Sequence, residues 1–93
     1  MWAGLAGASG GAPVVGQRII ARWTWGHGDW EAPATVVVVN RSSIRVRLER
    51  EVVYSAGDGW TLPAGHVIVL PRRGNAKWSQ NNSAYTEDGR ILE

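Results

Sequence analysis

Hydrophobic and polar residues alternate most regularly in the middle of the chain. Ile44, Val46 and Leu48 are separated by Arg45 and Arg47 without interruption. Successive side chains of a β-strand point to opposite faces, so this pattern predicts a strand with one buried and one solvated face. The two arginines are expected on the solvated face.

Further strands are predicted on both sides of this segment. They cover residues 18–25, 30–40, 60–62 and 66–70, while residues 50–54 extend or restart the strand at 44–48. Turns rich in glycine separate them at residues 26–29, 55–59 and 63–65. Short strands at this spacing, without a helical period, predict a small five-stranded all-β barrel.

The first two strands carry more specific expectations. In the first, residues 19, 21, 23 and 25 should face the core, opposite Arg18, Arg22 and Thr24. In the second, Pro33 predicts a bulge or an edge near its start, because proline cannot donate a hydrogen bond to the ladder. The continuous run 36–39 of four valines predicts burial on both faces.

Both ends of the chain differ from this middle. Residues 1–16 are rich in glycine and alanine and have too little apolar side-chain area to fold alone, which predicts a flexible arm. Residues 72–93 are polar and are predicted to form a tail, with Trp78 as its candidate anchor. Residues 17–71 then form the single barrel that a chain of 93 residues supports.

The composition excludes several classes of protein. There is no cysteine, which rules out a disulfide framework and a thiolate metal site, and no cofactor is predicted. The start of the sequence lacks the regions of a signal peptide, and no apolar run approaches the ~18 residues of a membrane span. We therefore expect a protein of the cytoplasm or of a virion, neither secreted nor bound to a membrane.

The formal net charge of +2 is unevenly distributed. Residues 17–77 carry nine basic against five acidic side chains, whereas residues 78–93 carry one against three. A moderately basic middle permits a partner that bears phosphates, but it does not require one.

Several short motifs follow one another between Val15 and Pro71. They are Val15-Gly16-Gln17, Ala21-Arg22-Trp23, Gly28-Asp29-Trp30, Ala34-Thr35-Val36-Val37 and Ile44-Arg45-Val46-Arg47-Leu48, followed by a last strand after a tight turn. This order resembles the SH3-like barrels of the Tudor and KOW type. In Tudor modules an aromatic cage holds a methylated lysine or arginine, and the resemblance implies that Trp23, Trp30 and Tyr54 occupy the matching positions. Glu31 and Leu48 depart from the pattern, because the family commonly has a tyrosine and a phenylalanine there.

Aromatic residues near strand ends and glycine turns are the first candidate site. They are Trp23, Trp25, Trp30, Tyr54 and Trp60. If one end of the barrel brings them together, their faces can attract cations or stack on nucleobases. The alternative is that two or more of them fill the core in place of phenylalanine, which the sequence lacks.

Arginines on the solvated strand faces are the second candidate site. Arg18 and Arg22 share one face of the first strand, and Arg45 and Arg47 share one face of the third. Four guanidinium groups can bind phosphate or the carboxylates of an acidic partner. The alternative is an ordinary solvated face that Glu49 and Glu51 partly neutralise.

No catalytic constellation is visible in the sequence. His27 and His66 are the only histidines, and neither has a nucleophile with an orienting group in a recognisable motif. We therefore expect a binding module, not an enzyme, that takes a peptide, a modified side chain or a small ligand through its tryptophan groove and arginine face. The alternatives are a structural subunit of a larger particle, such as a phage connector or decoration protein, and KOW-like nucleic-acid binding. The expected partner is a protein or peptide, with homo-oligomers, particle assembly and nucleic acid as the other possibilities.

Overall fold

The computed structural model describes residues 10–25, 28–55, 60–72 and 82–93, and within them the chain forms strands and turns but no helix. The strands are β1 (Arg18–Trp25), β2 (Gly28–Val39), β3 (Ser43–Leu48), β4 (Val52–Ser55), β5 (Trp60–Leu62), β6 (Val67–Pro71) and β7 (Ser83–Tyr85). The prediction of an all-β chain is confirmed.

Five of these strands form one antiparallel sheet in the order β6-β3-β2-β1-β7. The sheet curls into a half-barrel, so that its two edge strands, β6 and β7, approach each other. The remaining strands, β4 and β5, pair as a separate two-stranded ribbon in the connection between β3 and β6. The barrel-like architecture therefore agrees with the sequence, although the chain divides it among more strands than expected.

The core lies on the concave face of the sheet, and the alternation in β1 and β3 places residues there as predicted. Ile44, Val46 and Leu48 are buried, whereas Arg45 and Arg47 are exposed. The core consists of Ile19, Ala21, Trp23, Ala32, Ala34, Val36, Ile44, Val46, Leu48, Val52, Leu70, Ala84 and Leu92. Alanines face one another across β1, β2 and β7, and this allows close packing at the centre of the sheet.

The four valines of β2 are not buried on both faces. Val36 lies in the core, but Val38 is 38% exposed on the convex face. The register of β2 against β3 shifts between these two residues, which is a β-bulge. The expectation of a doubly buried run is therefore wrong, because nothing among the described residues covers this part of the convex face.

Pro33 lies in β2, the central strand of the sheet. Its carbonyl accepts a hydrogen bond from the Glu49 N–H (3.0 Å), one residue beyond the end of β3. In an antiparallel sheet, the backbone nitrogen and oxygen of one residue face the same neighbouring strand. The Pro33 nitrogen, which carries no hydrogen, therefore faces β3 at the end of the β2–β3 ladder. Pro33 thus lies where β3 stops, and the bulge lies further along β2.

The chain enters β1 through a type II turn. The Gln17 N–H donates to the Val14 carbonyl (3.0 Å), and Gly16 has a φ of 91°. The Gly16 N–H donates to the Val36 carbonyl (2.8 Å), and the Val36 N–H donates to the Gln17 carbonyl (2.9 Å). Gly16 and Gln17 thus both lie opposite Val36. This pairing of two residues with one is a β-bulge, in which Gly16 adopts the left-handed conformation.

The same combination precedes β6 and confirms the tight turn predicted at residues 63–65. The His66 N–H donates to the Pro63 carbonyl (3.1 Å), and Gly65 has a φ of 90°. The Gly65 N–H donates to the Leu48 carbonyl, and the Leu48 N–H donates to the His66 carbonyl, both over 2.8 Å. A matching turn and bulge therefore set the register of both β1 and β6.

The C-terminal residues belong to the sheet, contrary to the polar tail expected over 72–93. β7 pairs with β1, and Leu92 is 4% exposed within the core. A hairpin turn joins β7 to the segment that contains Leu92. In this turn Gly89 has a φ of 93°, and its N–H donates a hydrogen bond to the Thr86 carbonyl (2.9 Å). Residues 73–81, including the expected anchor Trp78, lie outside the described residues.

The last residues of the predicted arm pair with the C-terminal segment. The Gly10 N–H donates to the Ile91 carbonyl (2.6 Å), and the Glu93 N–H donates to the Gly11 carbonyl (2.9 Å). Most of the predicted arm, residues 1–9, lies outside the described residues. The part that is described is tied to the end of the chain by these two backbone hydrogen bonds.

Arg72 bridges the seam where the two edges of the sheet approach. Its Nε donates to the carbonyl of Glu93 (2.9 Å), and its Nη1 donates to the carbonyl of Asn40 (3.1 Å). One guanidinium group therefore connects the end of β6, the β2–β3 turn and the C-terminal segment.

Candidate functional site

Three of the predicted aromatic residues form one cluster, which we call the aromatic cluster: Trp23, Trp30 and Tyr54. The ring centroids of Trp30 and Tyr54 are 4.9 Å apart, with an angle of 67° between the ring planes. The Nε1–H of Trp23 donates a hydrogen bond to the Tyr54 hydroxyl (2.6 Å). Tyr54 therefore links the two tryptophans, one through its ring and the other through its hydroxyl.

The strand register explains why these residues meet. Trp23 and Trp30 are direct partners across the β1–β2 ladder, so their side chains leave the same face of the sheet. β4 supplies Tyr54 from the separate ribbon that packs against this face. The Trp30 indole lies over Gly28, where an added Cβ would meet ring atoms at 3.4–3.5 Å. A Cβ at Gly28 would therefore be in ordinary van der Waals contact with the indole.

The three side chains differ in their exposure. Trp23 is 7% exposed and belongs to the core, whereas Trp30 and Tyr54 are half-buried and pack against the core. Trp23 therefore fits the core-filling alternative, and it positions the Tyr54 hydroxyl. The half-buried rings of Trp30 and Tyr54 are the parts of the cluster that a ligand can reach.

The backbone places two more of the predicted aromatic residues close to the aromatic cluster. Trp25 pairs with Gly28 at the end of the β1–β2 hairpin, and Trp60 pairs with Ser55, the residue after Tyr54. The side chains of Trp25 and Trp60 lie outside the described part of the structure.

The predicted arginine face is present, but carboxylates neutralise half of it. Arg18 pairs with Glu49 through Nε and Oε1 (3.0 Å) and lies 3.5 Å from Glu87. Glu49 also accepts a hydrogen bond from the Thr35 hydroxyl (3.0 Å). This agrees with the expectation that Glu49 balances part of the positive charge.

Arg22 is similarly engaged. It lies 3.7 Å from Glu31, and its guanidinium carbon is 5.3 Å from the centroid of the Tyr85 ring. Tyr85 comes from β7, which sequence analysis did not identify as a strand. The hairpin turn at Asp88-Gly89, between Tyr85 and Ile91-Leu92, is the signal that indicates this strand.

Arg45 and Arg47 form a different environment on β3. Both are exposed, and neither forms an ion pair with a carboxylate in the described residues. Across the strands, Arg45 lies between Val38 and Val69, whereas Arg47 lies between Thr35 and Val67. These exposed valines were not predicted as part of a site, because a valine-rich strand by itself indicates only burial.

The described residues include one of the two histidines. His66 is exposed in the turn before β6, and His27 lies outside the described residues. Within the described ranges, no three histidine or acidic residues form a group that could hold a metal ion. The Thr86 hydroxyl and then Arg90 lower the pKa of the Asp88 carboxyl group by stabilising its charged form.

Comparison of this chain with protein-family models, with curated proteins and with solved structures gives no match. In the described part of the chain, no helix is long and apolar enough to cross a membrane. The function must therefore be argued from the arrangement of its own residues.

Proposed function

We propose that this chain is a non-catalytic binding module that holds a cationic side chain of a peptide partner against the aromatic cluster. The observation that carries this proposal is the corner formed by the half-buried rings of Trp30 and Tyr54, whose planes meet at 67°. Aromatic faces attract cations through their quadrupole, and methylated ammonium groups suit such a site because they carry charge with little hydration.

The fold supports an SH3-like assignment of the Tudor or KOW type. The sheet is a curled meander in which the last strand, β7, pairs with the first, β1, and so brings the two ends of the chain together. The three positions that the Tudor resemblance implies for a cage are the three members of the aromatic cluster. Within this cluster Trp23 has a supporting role, and Trp30 and Tyr54 provide the ligand-facing surfaces.

The charge distribution favours the aromatic cluster over the arginine face as the principal site. Of the four predicted arginines, Arg18 and Arg22 contact carboxylates, whereas Arg45 and Arg47 contact none among the described residues. Two such arginines are few for a nucleic-acid surface, since phosphate binding depends on many neutralising contacts. The cationic peptide is therefore the better-supported ligand.

Trp30→Ala should weaken binding about tenfold and leave the fold intact. The probe is a short peptide with a trimethyl-lysine, titrated while intrinsic tryptophan fluorescence is recorded. Removal of one aromatic wall is expected to weaken the complex about tenfold, because a desolvated cation–π contact contributes about 0.5–2 kcal/mol. The circular dichroism spectrum and the Tm of the variant establish that it is folded.

Two controls make this test specific. Tyr85→Leu removes an aromatic ring from the opposite face of the sheet and should leave binding unchanged. A peptide in which carbon replaces the quaternary nitrogen keeps the shape and loses the charge, and it should bind more weakly. Equal binding of the charged and neutral peptides, or unchanged binding by the folded Trp30→Ala protein, would overturn the proposal.

A further inference from the structure

The outer edge of β6 carries backbone groups that no described strand uses. β6 lies at one edge of the five-stranded sheet and pairs only with β3 in the described part of the chain. The Leu48 N–H donates to the His66 carbonyl (2.8 Å), and the Arg72 N–H donates to the Ser42 carbonyl (2.9 Å). Hydrogen-bonding residues alternate in an antiparallel ladder, so 66, 68, 70 and 72 face β3.

The intervening residues of β6 therefore direct their backbone groups outward. The N–H and C=O of Val67 and Val69 point away from β3, and Pro71 has its missing N–H on this same side. The side chains of Val67 and Val69 are 43% and 55% exposed. Arg72, which follows β6, joins the C-terminal segment through its side chain. Among the described residues, the unused backbone groups of Val67 and Val69 thus form a short window that Pro71 terminates.

The side chains next to this window are apolar and then basic. On the convex face, Val69 pairs with Arg45 and Val67 pairs with Arg47. A strand added to β6 would lie two strand spacings from β3, or about 10 Å. Glutamate side chains on that strand can extend over the valines toward the two guanidinium groups, which lack a carboxylate partner among the described residues.

We propose that the β6 edge binds an extended segment of a partner protein by strand addition, and that this segment carries acidic residues at alternate positions. Backbone hydrogen bonds to Val67 and Val69 supply attachment, and Arg45 and Arg47 select for carboxylates. Alternation is required because only every second residue of the added strand faces the arginines. This surface is separate from the aromatic cluster, so the two proposals stand or fall independently.

A nucleic acid fits this surface less well than an acidic peptide. The exposed side chains between the arginines and the edge are valines, which offer no aromatic plane for a base to stack on. An extended peptide, in contrast, uses both the open backbone and the apolar side chains. A single-stranded oligonucleotide is therefore the competing probe in the test.

The test uses a fluorescein-labelled peptide of alternating Glu and Val, with fluorescence anisotropy as the readout. The full chain should bind this peptide, and it should bind the matching Lys-Val peptide at least about tenfold more weakly. A Glu-Val peptide N-methylated at alternate amides should also lose binding, because it cannot donate to the β6 edge. If the methylated peptide bound as tightly as the unmethylated Glu-Val peptide, strand addition would be excluded. If the Lys-Val peptide bound as tightly as the Glu-Val peptide, selection of carboxylates by the arginines would be excluded.

Matched protein variants test the same surface. Arg45→Glu with Arg47→Glu should abolish binding, whereas the same charge change at Arg41 and Arg50, exposed in turns, should preserve most of it. Val69→Pro removes the N–H that points away from β3 and keeps every backbone hydrogen bond between β6 and β3. It should weaken binding of the Glu-Val peptide about tenfold. Tm values show whether each variant is folded. The proposal would be overturned if the parent chain bound the oligonucleotide but not the acidic peptide, and if the Arg45→Glu, Arg47→Glu variant lost oligonucleotide binding.

Discussion

At the scale of single residues, the hydrogen bond between Trp23 and Tyr54 joins two members of the aromatic cluster. Trp23 is 7% exposed, and its indole N–H has the Tyr54 hydroxyl as its acceptor at 2.6 Å. An indole N–H that loses its acceptor in the core incurs the desolvation cost of an unsatisfied donor, about 1–3 kcal/mol. The stability of the cluster should therefore depend on the pair, not on either residue alone.

A double-mutant cycle measures this dependence. Tyr54→Phe should destabilise the protein by about 1–3 kcal/mol, because it leaves the Trp23 donor unsatisfied. In a Trp23→Phe background, Tyr54→Phe should lower the free energy of unfolding by less, since the indole N–H donor is already absent. Urea denaturation of the four proteins gives the coupling free energy. Additive effects of the two substitutions would show that the hydrogen bond contributes nothing.

Asp88 gives the fold a defined response to acid. Its carboxylate accepts hydrogen bonds from the Thr86 hydroxyl and from Arg90, and these lower its pKa from 3.8. A group with a lowered folded-state pKa stabilises the protein above the unfolded pKa and loses that effect as pH falls through the folded value. The Tm difference between the parent and Asp88→Asn should be present above about pH 4 and disappear at lower pH. A difference that is constant with pH would contradict this.

The residues of the site show how far sequence reasoning extends. Trp23, Trp30 and Tyr54 were predicted to lie in the positions of a cage, and the structure places them in contact. The alternation in β1 predicted that Trp23 faces the core, but the depth of Trp30 was not predictable, because neighbours in a β-ladder share a face regardless of depth. The ion pair of Arg22 with Glu31 was likewise not predictable, since it depends on the register of β1 against β2.

At the scale of elements, two glycine turns with bulges set the register of β1 and β6. Gly65 has a φ of 90° and nothing within 4 Å of an added Cβ, so a substitution there meets backbone strain and no steric contact. Gly65→Val should destabilise the protein by about 1–2 kcal/mol, while Gly65→Asn should cost less because asparagine tolerates the left-handed region. Thermal unfolding checks both. Equal costs for the two variants would show that backbone conformation is not the cause.

The elements that could be predicted are those whose strand character is local. β3 alternates strictly, β1 alternates except at Ile20, and the type II turn before β6 has glycine at its third position, as such turns require. β7 was missed because Ser83-Ala84-Tyr85 is short and two of its residues are small. Its strand conformation comes from pairing with β1, a contact between opposite ends of the chain that local propensity cannot reveal.

At the scale of the whole molecule, Arg72 holds the half-barrel together across its seam. Its two hydrogen bonds to the Glu93 and Asn40 carbonyls point in different directions, which a guanidinium group can satisfy simultaneously. Arg72→Ala should lower the free energy of unfolding by about 1–2 kcal/mol. Arg72→Lys should recover only part of this, because one ammonium cannot reach both carbonyls in the same geometry.

Hydrogen exchange separates this role from a general loss of stability. In Arg72→Ala the amides of Leu92 and Glu93, which donate to Ala84 and Gly11, should lose protection more than those of β2 and β3. Uniform loss across the sheet would mean that Arg72 does not act on the seam.

The pairing of β1 with β7 also has a consequence for synthesis. Among the described strands, β1 leaves the ribosome first and β7 last. Throughout translation of the intervening segment, one side of β1 lacks its partner β7, and its neighbouring apolar face lacks Leu92. An open strand edge is a template for pairing with other chains. The nascent chain is therefore vulnerable to aggregation until β7 has been synthesised, and a chain that stops before β7 should associate with chaperones or form inclusion bodies.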